Sequence, residues 1–518
     1  MTMIPLPETS ELKPFAPEII LVATTVVALL VPVFSPKKNV LAVAAVSVLG
    51  VFAALVSLFF VWPAAPATYF GDFLTMDPFS WLFKLAVLVF VLIVLALWLT
   101  HAKDEFEQHG HAGDTPEYFT LMLCATVGMC LMGSTSHLLM IFLAIEMASL
   151  PSYVLAGFRK THKLGAEAAM KYVLFGAASA AVMVYGMSLL YGLFGTLDLA
   201  DMNVRLLTGT DQIVFAMGII GLLVGIGFKI AMFPVHFWCP DVFEGAAIDV
   251  TAFLSVASKA AGLALLTRVV TLVAQHGGGV PLEWLPIALL VLGAVTCTWG
   301  NLGAYPQTNI KRLLAFSSIG HAGYMILGLC AFVTAKPAAE SIGAADAMLF
   351  YLLMYVLMNG AAFVAAAAIA QRIAAPGRDG EDITNYAGLG RRAPLLALAM
   401  LISCLSLVGI PLTVGFATKL KLVIVLFNAN HWVAFAAIAA LGINTVIGAF
   451  IYFRIIRQMY LAESEEPRVI ELAPITAVAL LLAALNIGVF LFYSPVDHQT
   501  ARHAVLNTAM LKNPDQTP

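Results

Sequence analysis

Charged side chains are scarce in this sequence. Asp, Glu, Lys and Arg make up 11% of its 518 residues, against about 25% in an ordinary soluble domain. That shortage, with 61% hydrophobic residues and a mean hydropathy of +0.93, excludes a soluble globular fold. The formal net charge is only -3, so no strongly basic surface points to nucleic acid. Cysteine pairs are missing as well. Cys124, Cys130, Cys239, Cys297, Cys330 and Cys404 stand singly, with no CxxC spacing to hold an iron–sulfur cluster or structural zinc. There is no P-loop and no complete GxGxxG, since GIGFKI at 225–230 lacks the last glycine. The N-terminus lacks a basic region ahead of its first apolar run, so that run reads as a retained span rather than a cleaved signal.

What the sequence does have is apolar length. A bilayer core about 30 Å thick needs about 20 apolar residues per helix, and fourteen segments meet that need. They lie near 17–34, 39–61, 78–100, 116–133, 136–157, 166–194 and 212–238, then near 248–274, 284–305, 310–333, 345–374, 394–428, 431–460 and 472–493. The expected fold is an all-α polytopic membrane domain spanning the whole chain. Of the 27 Lys and Arg, 15 fall in or beside loops that follow odd-numbered spans, 6 lie in the other loops and tails, and 6 lie within spans. The odd loops then face the cytoplasm, and both termini face outward.

The six intramembrane cations are Lys84, Lys171, Lys229, Lys259, Lys419 and Lys421, and one acid, Glu146, lies in the middle of span five. A charge at mid-bilayer costs about 2.5–3.5 kcal/mol on insertion scales. Glu146 with Lys171, Lys229, Lys259 and Lys419 would cost on the order of 10 kcal/mol, comparable to a whole domain's stability. Partners, internal water or proton loss must relieve that cost. Burial disfavours a charged lysine and a nearby carboxylate favours it, so a lysine whose partner moves can load and release a proton. Lys84 lies two turns into its helix and is expected to snorkel to the interface. Lys421 is expected at the lipid interface or in a structural role. Lys171 is open to two readings, because Glu167 four residues earlier could simply pair with it.

Span seven contains Pro234 and Pro240, with Gly225 and Gly227 just before Lys229. Span twelve has Gly409, Pro411 and Gly415 ahead of Lys419. Proline frees helical carbonyls, and irregular backbone inside a membrane is tolerated only against protein or water. His236 falls one heptad after Lys229, on a similar face if the helix continues. Two interrupted helices, each with a buried lysine, are the mark of an internally repeated transporter. EMASLPSYVLAG at 146–157 also aligns with SSIGHAGYMILG at 317–328. Spans four to eight (116–274) and nine to thirteen (284–460) are then two inverted five-helix repeats, with helices seven and twelve broken.

HFWCPDVFEGAAIDVTAFLSVASKAAGLALLTR (236–268), TNIKRLLAFSSIGHAGYMILG (308–328) and GLGRRAPLLALAMLISCLSLVGIPLTVGF (388–416) resemble subunit N of proton-pumping NADH:quinone oxidoreductase, respiratory complex I. The resemblance covers about 100–480. It implies an antiporter-like fold of fourteen helices, a Glu146–Lys229 pair, a connecting Lys259 on helix eight, and Lys419 on broken helix twelve. Lys171, His236 and His321 match further polar positions of that family's hydrated axis. AAID at 246–249 departs from the usual APTP, adding Asp249, and GIPLTVGF at 409–416 departs from GIPPTAGF. The resemblance further implies a bacterial inner-membrane location and partners among the other antiporter-like and small membrane subunits. NADH, FMN, iron–sulfur clusters and quinone would belong to partner subunits, with no cofactor or metal on this chain, which would not be catalytic alone. A stand-alone cation/proton antiporter, and a structural membrane subunit whose polar axis only holds helices together, are the alternatives.

Overall fold

The computed structural model describes residues 9–34, 40–63, 66–102, 115–159, 162–206, 211–274, 284–334, 338–373, 380–464 and 474–492. Apart from one small hairpin, the described chain is helical. The first half comprises α1 (Ala16–Phe34), α2 (Val40–Phe60), the hairpin β1 (Ala67–Tyr69) and β2 (Leu74–Met76), α3 (Pro78–Leu97), α4 (Thr115–Met132), α5 (Leu138–Ala156), α6 (Lys163–Phe194) and α7 (Gln212–Ile230). There follow α8 (Trp238–Gly245), α9 (Ile248–Phe253), α10 (Lys259–Ala274), α11 (Trp284–Ala304) and α12 (Ile310–Thr334). The last part holds α13 (Ala338–Ile373), α14 (Pro394–Val408), α15 (Val414–Asn428), α16 (Trp432–Tyr460) and α17 (Pro474–Leu491). Among the described residues, thirteen helices are long and apolar enough to cross a membrane. The remaining expected span, 394–428, is divided into the shorter helices α14 and α15.

Apolar surface decides which helices sit at the rim. Leu, Val, Ile and Phe side chains of α1, α2, α6 and α16 point outward, as a hydrocarbon solvent permits. The stretch Ile248–Val270 is buried throughout, and so is α12 apart from Arg312 and Val333 near its ends. A helix enclosed on all sides must satisfy every polar side chain internally. Even so, α12 carries Lys311, Ser317, Ser318, His321 and Tyr324, all buried. It packs against α8, α10, α11, α13, α15 and α16, and so joins the two halves of the chain.

The helix breaks have local causes. α7 stops at Ile230, where Ala231 adopts a left-handed φ of 58° and returns its N–H to Gly227 and Phe228. A cis peptide joins Phe233 to Pro234 before α8 begins. α14 ends at Gly409, whose φ of +87° suits a residue without a side chain. Pro411 then has no N–H for a ladder bond, and Leu412 is also left-handed at 79°. Gly415, opening α15, admits the Ser406 carbonyl where any Cβ would collide with it. Between α9 and α10 the helix widens into a π-helical turn, Leu254–Ser258.

One sequence expectation is overturned here and another is narrowed. Lys84 does not snorkel. It is fully buried, its Nζ lies 2.7 Å from Glu18 Oε1, and the Phe15 ring lies beneath it. A carboxylate inside the bundle removes the reason to reach for the interface. Lys421 likewise avoids the lipid and pairs with Asp346 on α13 at 2.6 Å, so of its two expected roles the structural one stands. A third ion pair was not anticipated. Arg268 on α10 grips Asp77, the N-cap of α3, through two hydrogen bonds of 2.9 and 3.0 Å and also donates to the Gly133 carbonyl. Arg268→Ala removes the guanidinium from the buried Asp77 carboxylate and costs about 3–5 kcal/mol. Thermal unfolding of the detergent-extracted protein should register that loss, and Arg268→Lys should restore only part of it, since a lysine cannot form the planar fork.

Candidate functional site

Lys229 occupies the last turn of α7 and is fully buried. Its Nζ donates to Ser149 Oγ on α5 at 3.1 Å. Ser149 stands one turn after Glu146, and Glu146 is only half-buried. Among the described residues the two expected partners, Glu146 and Lys229, share no ion pair.

Lys259 follows the π-helical turn directly. Its Nζ donates to Ser318 Oγ at 2.5 Å and to Cys239 Sγ at 3.3 Å. The two lysines belong to packed helices. Gly262, nearly one turn beyond Lys259, lies so close to α7 that a Cβ there would come within 3.4 Å of the Lys229 Cβ. Ser318 opens a polar stripe on α12, because residues three and four apart share a helical face. His321 comes next and shares a hydrogen bond of 2.8 Å between its Nδ1 and Tyr351 Oη. Tyr324 follows, held by Asn301 Nδ2 at 3.0 Å. The Tyr324 ring lies 4.6 Å from Lys419 Nζ, and that ammonium donates to the Val408 carbonyl at 2.8 Å. Val408 is the last residue of α14, so its carbonyl is one of those a helix end leaves for other donors. The break in the span supplies the acceptor for the lysine that follows it.

One contrast runs through these contacts. Lys84, Arg268 and Lys421 have a carboxylate at 2.6–2.9 Å. Among the described residues Lys229, Lys259 and Lys419 make no ion pair, and their hydrogen bonds go to a hydroxyl, a thiol or a carbonyl. A carboxylate partner favours the ammonium form strongly, whereas a neutral hydroxyl can hydrogen-bond either form of the amine. These buried cations therefore divide into those with a carboxylate partner and those with neutral partners.

Glu146, Lys229, Lys259, His321 and Lys419 thus fall along one connected region, with Ser149, Ser318 and Tyr324 between them. Two expected members make no hydrogen bond to this line among the described residues. Lys171 is part-exposed and pairs with Glu167 at 2.7 Å and Asp241 at 2.6 Å. Asp241 also takes Arg312 at 2.7 Å, so this network ties α6, α8 and α12 together. His236 lies in the turn after α7, because the helix ends before it. It is buried among Phe233, Phe237 and Trp299, and neither ring nitrogen has a partner among the described residues. The sequence reasoning passed over Ser149, Ser318 and Tyr351. Spacing held a signal for the first two, since each lies three residues from a chosen group, Glu146 or His321. Tyr351 comes from another helix and had none. Among the described residues no cluster of three His, Cys, Asp or Glu side chains forms a metal site.

Removing the Ser318 hydroxyl leaves the Lys259 amine with only a weak thiol acceptor. Ser318→Ala should cost about 1–3 kcal/mol, read as a lower unfolding temperature of the purified protein. Ser318→Thr, which keeps the hydroxyl, should recover most of it.

Comparison with known proteins matches this arrangement to one group. The family model for the transmembrane region of NADH:quinone oxidoreductase/Mrp antiporter subunits matches residues 135–447. NADH-quinone oxidoreductase subunit N 2 of Sorangium cellulosum is 38% identical over 96% of this chain and 98% of its own length. Subunit N of Geobacillus sp. is 36% identical over 92% of this chain and 94% of its own length. Among solved structures, a chain of respiratory complex I from Thermus thermophilus with bound aureothin covers 94% of this chain and 99% of itself, with a TM-score of 0.75 and 32% identity. A chain of the Mrp complex from Dietzia sp. shares the fold at a TM-score of 0.76 and 21% identity, covering 95% of this chain and 97% of itself. The chain belongs to the antiporter-like membrane subunits of NADH:quinone oxidoreductase, and within them to the subunit N type.

Proposed function

We propose that this subunit carries protons across the bilayer along Glu146, Lys229, Lys259, His321 and Lys419, driven by redox chemistry in partner subunits. The observation that carries the reading is the neutral partnership of the three lysines. In a dry interior each would need a counterion if it were permanently charged. Each instead faces a group that accepts from an ammonium and also bonds a neutral amine.

The steps follow from electrostatics. Two opposite charges 4 Å apart attract by about 4 kcal/mol at an effective dielectric near 20. When Glu146 approaches Lys229, the ammonium form is favoured. When Glu146 withdraws and Ser149 alone remains, that support is lost and the proton moves toward Lys259. Ser318, the His321–Tyr351 pair and internal water then lead it past Tyr324 to Lys419. His321 is suited to this place because a neutral imidazole both donates and accepts. In this reading Lys171 holds α8 in place and is not a carrier.

The wider setting is part of the same proposal. The two broken spans belong to inverted repeats at 116–274 and 284–460. The loops rich in Lys and Arg face the cytoplasm, and both termini face the periplasm of a bacterial inner membrane. The neighbours are the other antiporter-like and small membrane subunits. Electron carriers, from NADH, FMN and iron–sulfur clusters to quinone, belong to partner subunits.

The test uses the assembled oxidoreductase in liposomes, with NADH-driven proton uptake as the readout. Lys229→Ala should abolish pumping while the subunit still assembles, and normal pumping by the assembled variant would end the proposal. His236→Ala should stay within about twofold of the parent rate, because a bystander lacks the roughly hundredfold effect of a proton-transfer group.

A further inference from the structure

Asp249 is a buried acid that this route has not used. It occupies the first turn of α9 and is 1% exposed. Tyr118, in the first turns of α4 and fully buried, donates a short hydrogen bond from its Oη to Asp249 Oδ2. Asp249 Oδ1 has no partner among the described residues. The two other buried aspartates among the described residues each have a cation: Asp77 has Arg268, and Asp346 has Lys421. Among the described residues Asp249 has the Tyr118 phenol instead. A carboxylate held this way in hydrocarbon surroundings is costly unless a proton or water reaches it.

Its position is equally specific. Tyr118 stacks on Trp98 just beyond α3 at 6.1 Å and meets Phe158 just beyond α5 edge-on at 5.3 Å. Arg159 is near enough to act on the phenol electrostatically. The ends of α3 and α5 and the starts of α4 and α9 thus converge on the face whose loops carry most of the basic residues. From there the chain leads inward to Lys259, ten residues on, or about 15 Å at helical rise. The π-helical turn fills the interval. The Ser255 carbonyl accepts from Tyr355 Oη at 3.2 Å, and Ser255 Oγ accepts from Asn359 Nδ2 at 2.6 Å. Ser258 Oγ is buried with no partner among the described residues. Such turns are frequent at functional sites, because they release backbone groups from the helical ladder.

We propose that Asp249, oriented by Tyr118, takes up protons at the face rich in basic loops and passes them by the Ser255–Ser258 turn to Lys259. The reaction is proton transfer alone. A proton leaves solvent water for a carboxylate oxygen of Asp249, crosses the hydroxyl groups and water between, and ends on the free amine of Lys259. The proposal rests on the reading of Lys259 as a carrier. Asp249 is the acceptor, and Tyr118 is a positioning residue.

The assembled oxidoreductase in liposomes tests it, with Asp249→Asn, Asp249→Glu, Tyr118→Phe and Lys259→Ala compared. NADH-driven proton uptake is measured alongside infrared difference spectra of the carboxyl region on reduction. Asp249→Asn keeps the size and the hydrogen bond but removes the acid, and should slow pumping at least about tenfold. Asp249→Glu should restore pumping, and a carboxyl band seen in the parent should be lost in the Asn variant and shifted in the Glu variant. If Asp249→Asn fails to assemble, Tyr118→Phe decides. It should displace the same band and slow pumping, and an unchanged band and rate overturn the proposal. Parent-like pumping by Asp249→Asn with none by Lys259→Ala overturns the Asp249 entry and leaves the lysine route standing. Parent-like pumping by Lys259→Ala overturns the route itself.

Discussion

An ammonium group inside a membrane protein has no bulk water to fall back on, so an acceptor must be built for it. That requirement shapes the bundle's interior. Four cations, Lys84, Arg268, Lys311 and Lys421, meet it with carboxylates from neighbouring segments. Three others, Lys229, Lys259 and Lys419, meet it with neutral oxygen or sulfur. The first solution holds helices together. The second leaves the ammonium form without a contacting carboxylate, which is the basis of the proposed proton route. The same residue type serves both purposes, and the partner decides which.

The helix interruptions answer the same need. A continuous α14–α15 helix would have its Val408 carbonyl bonded within the helix. The break at Gly409–Thr413 frees that carbonyl, and Lys419 takes it. In the span that holds α9 and α10, a π-helical turn stands immediately before Lys259 and leaves the Ser255 carbonyl to Tyr355. Backbone irregularity is expensive in lipid, and here it sits where a polar side chain uses what it releases. The enclosed α12 completes the arrangement by carrying Ser318, His321 and Tyr324 on one face between the two halves.

Much of the fold was legible because hydropathy and length act locally. The apolar segments at 78–100, 310–333 and 431–460 became α3, α12 and α16 within a few residues. Glycine and proline likewise act on their own backbone, so Pro234 and Gly409 marked places where helices end. Side-chain partnership was less legible. Lys84 and Lys171 looked similar as lone cations near helix starts, yet one is sealed against Glu18 and the other lies part-exposed between Glu167 and Asp241. His236 was placed by extending a helix that in fact stops at Ile230.

By itself the sequence determined that the chain spans a membrane many times and which few charges it must accommodate inside. These follow from composition and short-range spacing, which need no knowledge of neighbours. Only the tertiary structure decided which cation meets a carboxylate and which meets a hydroxyl. Asp77 and Arg268 are far apart in the chain, as are Lys259 and Ser318. No local pattern encodes such meetings, because they depend on which helices pack together and on the few ångströms that separate an ion pair from a neutral hydrogen bond.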